Sequence, residues 1–125
     1  GVSFPIEAHL VHSDKSGNLA VVAVMVKAGK QNDTIKRLWD NMPNHAGEQI
    51  SIKNEIKPYN LLPSAKEYYK FNGSLTTPPC SEGVKWMVMK ESITMSKAQI
   101  SKFQSVLHEK NNRPIQAQNA RIILE

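Results

Sequence analysis

Residues 19–26, Leu-Ala-Val-Val-Ala-Val-Met-Val, form the longest apolar run in the chain and stop at Lys27. With no polar alternation and four valines, the run suits a strand covered on both faces, because successive side chains of a strand point to opposite sides of a sheet. Such a segment needs a hydrogen-bonded neighbour along each edge and an apolar layer above and below. A chain that contains it must build a sheet around it. The run is also well short of the roughly 18 apolar residues of a membrane span, so no membrane span is expected.

The neighbouring segments read as partners for this strand. Residues 4–12 (FPIEAHLVH) alternate, with Glu7, His9 and Val11 on one face and Ile6, Ala8, Leu10 and His12 on the other. Residues 13–18 (SDKSGN) carry turn chemistry, so a hairpin joins the two strands. A helix follows, capped by Asn32 or Asp33, with Ile35, Leu38, Trp39 and Met42 on its apolar side and Pro43 ending it. Residues 44–73 are loop-rich with short extended pieces, punctuated by Pro58 and Pro63. Residues 82–90 alternate again and place Val84, Trp86 and Val88 on one face. A second helix starts at Ser96, whose spacing to Gln99 is that of a capping box, with Ile100, Phe103 and Leu107 as its apolar stripe. Residues 121–125 (RIILE) are expected to close the chain as a short strand. The reading is one α+β, mainly β domain around an extended sheet, with two helices.

Charge adds little. Lysine and arginine number 16 against 11 acidic residues, a net charge of +5, but the lysines are scattered and form no dense basic run. Nucleic-acid sites concentrate their cations on one face, so no nucleic-acid partner is expected. Gly1 opens on VSFPIEAH without a basic flank or an apolar core, so no signal peptide is expected within these residues. Cys80 is the single cysteine; its thiol is either reduced or paired with a cysteine outside these residues.

Two places carry chemistry. Glu7 and His9 lie two apart on one strand face, so their side chains point the same way. A metal-binding histidine commonly donates its second ring N–H to a carboxylate, which sets its tautomer. The same pair also reads as a sheet-face contact that serves packing alone, and both readings stay open here. A catalytic zinc takes three protein ligands and keeps one open position. The candidates His9, His12, His45, His108 and Cys80 show no H-x-H, H-E-x-x-H or C-x-x-C spacing and fall short of that set. The second place is SLTTPPC, residues 74–80. Each proline biases the residue before it toward an extended conformation, which holds Thr77 and Pro78 in an extended path. A hydroxyl and an N–H on a stiff loop suit the orientation of a small anion or a hydroxide. A rigid surface loop is the alternative.

Read together and in order, EAHLVH, LAVVAV and GSLTTPPCSEGVKW resemble the C-terminal half of an alpha-class carbonic anhydrase of the bacterial type. LLP followed by YYKFNGS, and NNRPIQ near the end, support the resemblance, which runs over essentially the whole chain. It implies a central, largely antiparallel twisted sheet with short peripheral helices, and Zn2+ at the floor of a cleft. By position His9 is similar to a zinc histidine and Glu7 to the carboxylate that orients it. Thr76 is similar to the gatekeeper threonine, Thr77 to its neighbour at the bicarbonate position, and Val11, Val21, Leu75, Val84 and Trp86 to the apolar pocket for carbon dioxide. Arg113 sits in a structural motif and is given no catalytic role. The activity so implied is reversible hydration of carbon dioxide to bicarbonate by zinc-bound hydroxide. An apolar wall suits that substrate, whereas an anion site would call for Arg or Lys.

The resemblance also implies what lies elsewhere. The family's H-x-H zinc strand, the glutamate that partners the gatekeeper threonine and the usual proton-shuttle histidine have no counterpart here. Residues 1–125 are therefore expected to be the C-terminal part of a single catalytic domain, inactive without its N-terminal half; a homodimer stays open. In bacterial members a cysteine directly after TTPP usually pairs with one near the N-terminus, which implies a disulfide from Cys80 and a periplasmic or secreted location. The alternative is a catalytically inactive carbonic-anhydrase-like binding or scaffold module.

Overall fold

A computed structural model describes residues 1–53 and 55–125. Strands β1 (Ile6–Ser13) and β2 (Leu19–Ala28) form the expected antiparallel hairpin, in register from Ile6 opposite Val26 to Ser13 opposite Leu19. The Asp14 carboxylate builds the turn between them. It accepts hydrogen bonds from the backbone N–H of Ser16 and Asn18, at 2.9 and 2.8 Å, and from the Asn18 side-chain amide at 2.7 Å. Gly17, with φ of 82°, supplies the left-handed residue that the turn requires.

β2 is the middle strand, as its composition demands. Along its other edge it pairs in parallel with β4 (Glu82–Met89) and β5 (Ile93–Met95), while β3 (Tyr68–Ser74) runs antiparallel to β4. The order is β1-β2-β4-β3, with β5 beside β2. The sheet is thus mixed: two antiparallel pairs joined along a parallel seam. Val21, Ala23, Val24 and Val26 of β2 are each 1 % exposed or less. Full burial of a valine or methionine side chain contributes about 1.5–3 kcal/mol, so β2 is a main source of stability.

The parity of β2 divides the core in two. Val21 and Ala23 pack with Val84 and Trp86 on one face, flanked by Leu19, Phe71, Leu75 and Val88. On the other face Val26 packs with Met95 and with Ile35 and Ile100 from helices α1 (Asp33–Trp39) and α2 (Lys97–Leu107). Both helices therefore cover one side of the sheet and leave the other side clear.

Several local expectations change. Asn32, not Asp33, caps α1, its side chain accepting from Ile35 N–H at 3.0 Å. Met42 lies beyond the helix, because after Asp40 the N–H groups of Asn41 and Met42 turn to carbonyls three residues back. Residues 121–125 do not form a strand; only Leu124 bridges to Lys70, exchanging two 2.8 Å hydrogen bonds. The stretch 44–73 supplies a short 3-10 turn at Pro58–Leu61 and nearly all of β3. Pro78 does not continue an extended path: Thr77 to Cys80 form a tight turn around a cis Pro78–Pro79 bond, closed by Cys80 N–H to Thr77 O at 2.9 Å.

Candidate active site

Residues directly opposite each other on paired strands share a face. Register places Glu7, His9 and Val11 of β1 opposite Met25, Ala23 and Val21 of β2. Val21 in turn lies beside Trp86 of β4, and Trp86 and Val84 lie opposite Phe71 and Gly73 of β3. One face, the side without helices, therefore gathers Glu7, His9, Val11, Val21, Val84 and Trp86 from three strands, and Leu75 packs on the same cluster.

His9 stands at the centre of this face. Its Nε2 lies 3.1 Å from Glu7 Oε1. With a carboxylate accepting there, Nε2 carries the proton and Nδ1 holds the free lone pair. The His9 ring meets Trp86 edge to face, with centroids 5.0 Å apart and planes at 79°. Its side chain keeps 27 % of its accessible area, enough to reach an incoming group. Val11 is 59 % exposed beside it, an apolar surface left open at the rim.

Trp86 is held from three sides. Its Nε1–H donates to Ser74 O at 3.0 Å, and its ring stacks with Phe71, with centroids 6.4 Å apart and planes at 7°. Gly73 lies under the indole so closely that a Cβ there would meet Trp86 Cδ1 at 2.9 Å. Directly after it the β3–β4 register shifts, from Gly73 opposite Val84 to Ser74 opposite Glu82. Gly83, with φ of 83°, is the extra residue of this bulge. The bulge turns the chain out of the sheet into the loop of Leu75 to Ser81, which Leu75 N–H closes onto Ser81 O at 2.9 Å. Thr76 and Thr77 are exposed on that loop, and Cys80 is partly buried, with no second cysteine among these residues to pair with it.

The other predicted ligand candidates do not converge on His9. His12 pairs with Ala20, on the opposite face. His45 lies 2.9 Å from Glu48 in an exposed loop, and His108 follows the end of α2. Among the described residues no three of His, Cys, Asp or Glu come together to hold a metal ion. His9 with its carboxylate thus fits one corner of a zinc site, and only one. The alternating Tyr69, Phe71 and Gly73 are the signal by which β3, and with it Phe71 and Gly73, is legible in the sequence. Nothing local marks the Ser74 carbonyl as the partner of Trp86. No helix among the described residues is long and apolar enough to cross a membrane.

The family described as eukaryotic-type carbonic anhydrase matches residues 1–125. A carbonic anhydrase of Pectobacterium atrosepticum is 44 % identical over 99 % of this chain, and one of Klebsiella pneumoniae is 45 % identical over all of it. The chain spans about half the length of these relatives, 51 % of each. Among solved structures, the alpha-carbonic anhydrase of Photobacterium profundum is 51 % identical, with a TM-score of 0.94 over the whole chain and 57 % of its own. That of Thermovibrio ammonificans, in complex with the inhibitor sulfanilamide, is 47 % identical with a TM-score of 0.93, over 95 % of this chain and 53 % of its own.

Proposed function

The chain belongs to the alpha-class, eukaryotic-type carbonic anhydrase family, and on that premise we propose that it carries one zinc ligand, the substrate wall and the gating loop of an enzyme that reversibly hydrates carbon dioxide to bicarbonate. The observation that carries the reading is the His9–Glu7 pair, set edge-on to Trp86 in an apolar sheet face. When bound, zinc supplies a water acidified to near pH 7, so that a nucleophile exists without a strong base.

The rest falls to the protein. His9 offers Nδ1 to the metal, while Glu7 keeps the ring in that tautomer and orientation. Val11, Val21, Leu75, Val84 and Trp86 hold carbon dioxide, a molecule without net charge or dipole, against a wall that gives an anion no reason to stay. Thr76 accepts a hydrogen bond from the attacking oxygen and so aims its lone pair at the carbon, and Thr77 lines the position that bicarbonate takes before it leaves. One water and one carbon dioxide give bicarbonate and a proton released to solvent. The two further zinc ligands, the glutamate behind Thr76 and the proton shuttle belong, in this reading, to the half of the family's length that this chain does not span.

The experiment uses the full-length protein. It is expected to hold one zinc per chain and to hydrate carbon dioxide in stopped-flow assays. Thr76→Ala should lower kcat by about 100-fold with zinc retained; unchanged turnover would overturn the role of Thr76. A full-length protein without zinc and without turnover would instead be an inactive scaffold. We further propose that Cys80 forms a disulfide with a cysteine outside these residues, in an oxidising compartment such as the periplasm. Full-length protein purified without reductant should then resist alkylation at Cys80 until dithiothreitol is added. Immediate labelling would refute the disulfide.

A further inference from the structure

The loop that carries Thr76 and the ring that contacts His9 share one anchor, and it comes from a distant part of the chain. Arg113 Nη1 donates to Ser74 Oγ at 2.6 Å and to Leu75 O at 3.4 Å, while Ser74 Oγ itself donates to Leu75 O at 3.1 Å. The carbonyl of the same Ser74 accepts the Trp86 indole N–H, and the indole is the edge-to-face partner of His9. Ser74 lies directly after the bulge as the last residue of β3, paired with Glu82 where the strand ladder ends. A half-buried guanidinium is suited to reinforce the chain there, because a charge-assisted donor is stronger than a neutral one and the one Nη1 reaches both acceptors.

We infer that Arg113 is a positioning residue: by clamping Ser74 and Leu75 it sets both the indole that braces His9 and the backbone from which Thr76 projects. It touches neither substrate nor metal. The inference rests on the carbonic anhydrase reading and extends it, since it assigns the closing segment of the chain a part in the chemistry and not only in packing.

The test uses full-length enzyme with Arg113→Met, which keeps the apolar stem, Arg113→Lys, which restores one charged donor, and Ser74→Ala as the smaller change should Arg113→Met fail to fold. The readouts are kcat and KM separately, and the rate of zinc loss to a chelator at 25 °C. Arg113→Met should lower kcat by roughly 10- to 100-fold with a smaller change in KM, since displacement of a positioned group acts on the reacting geometry. It should also speed zinc loss by about 10-fold, as removal of support behind a metal ligand does. Arg113→Lys should recover part of both, Ser74→Ala should shift both in the same direction, and Ser74→Ala combined with Arg113→Met should add little to the single change. If these variants only lower the melting temperature, with kcat and zinc loss as in wild type, Arg113 is a fastener and the inference is wrong. If wild-type protein neither holds zinc nor hydrates carbon dioxide, it is the functional reading that fails.

Discussion

Gly73 is a residue whose identity is decided by a neighbour and not by its own backbone. A methyl group at this position would meet Trp86 Cδ1 at 2.9 Å and Nε1 at 3.1 Å, both below ordinary contact. Trp86 cannot retreat freely, since it is stacked on Phe71 and bonded to Ser74 O. Gly73→Ala in the full-length protein should therefore cost about 1–3 kcal/mol by overpacking. The same substitution should shift tryptophan fluorescence, because the indole must move. An unaltered unfolding midpoint would mean that the indole has room that its contacts deny. Glu7, His9 and Val11 behave differently: their common face follows from strand parity, and their sequence spacing is enough to read it.

At the scale of elements, the Gln99 side chain ties the start of α2 to the start of α1, beside the stack of Trp39 on Phe103. Gln99 Oε1 accepts from Ser96 N–H, completing the capping box read from the sequence, and also from Asn32 N–H, both at 3.0 Å. Its Nε2 donates to Asn32 O at 2.8 Å, and its backbone carbonyl accepts from Trp39 Nε1 at 2.9 Å. Gln99→Ala should thus remove the side-chain half of the capping box and loosen the hold on Asn32, at a cost of about 2–4 kcal/mol for three lost hydrogen bonds at a largely buried site. Gln99→Glu keeps the acceptor and loses the donor, and should fall between; equal midpoints for all three proteins in urea unfolding would contradict the joint. The β1–β2 turn makes a pH-dependent case. The Asn18 side-chain amide, and then the Asn18 backbone N–H, hold the Asp14 carboxyl below the usual carboxylate range. A carboxyl with a depressed folded pKa stabilises above the unfolded pKa, and that contribution fades as pH falls through the folded pKa. The stability gap between wild type and Asp14→Ala should be largest near neutral pH and close in acid. A gap of constant size would argue against the carboxylate as the turn's organiser.

For the molecule as a whole, the sheet has two unlike sides. Helices seal one, and the other carries His9, Trp86 and the exposed Val11, with α1 and α2 excluded from it. A metal bound on that open side stabilises the folded state by mass action, by about 4 kcal/mol when free metal exceeds its Kd by about 1,000-fold. Chelation of zinc from the full-length protein should therefore lower its melting temperature by about 10 °C, and added zinc should restore it. A melting temperature indifferent to chelator would speak against a stoichiometric zinc, whatever the activity. This measurement needs no turnover.

By itself the sequence determined the features that depend on a local period. The apolar run 19–26 had to be a central strand, the spacing of Glu7, His9 and Val11 put them on one face, and Ser96 with Gln99 marked the start of α2. Those rest on repeats of two or 3.6 residues, which neighbouring side chains are enough to express. Only the tertiary structure decided the parallel seam that sets Val21 beside Trp86, the bulge that shifts Ser74 opposite Glu82, and the partners Arg113 and Asn32, which lie 39 and 67 residues from Ser74 and Gln99. The reason is register. Several segments carry the same alternation, and a slip of one residue turns every side chain to the other face, so the pairing is settled by packing between distant segments and not within any one of them.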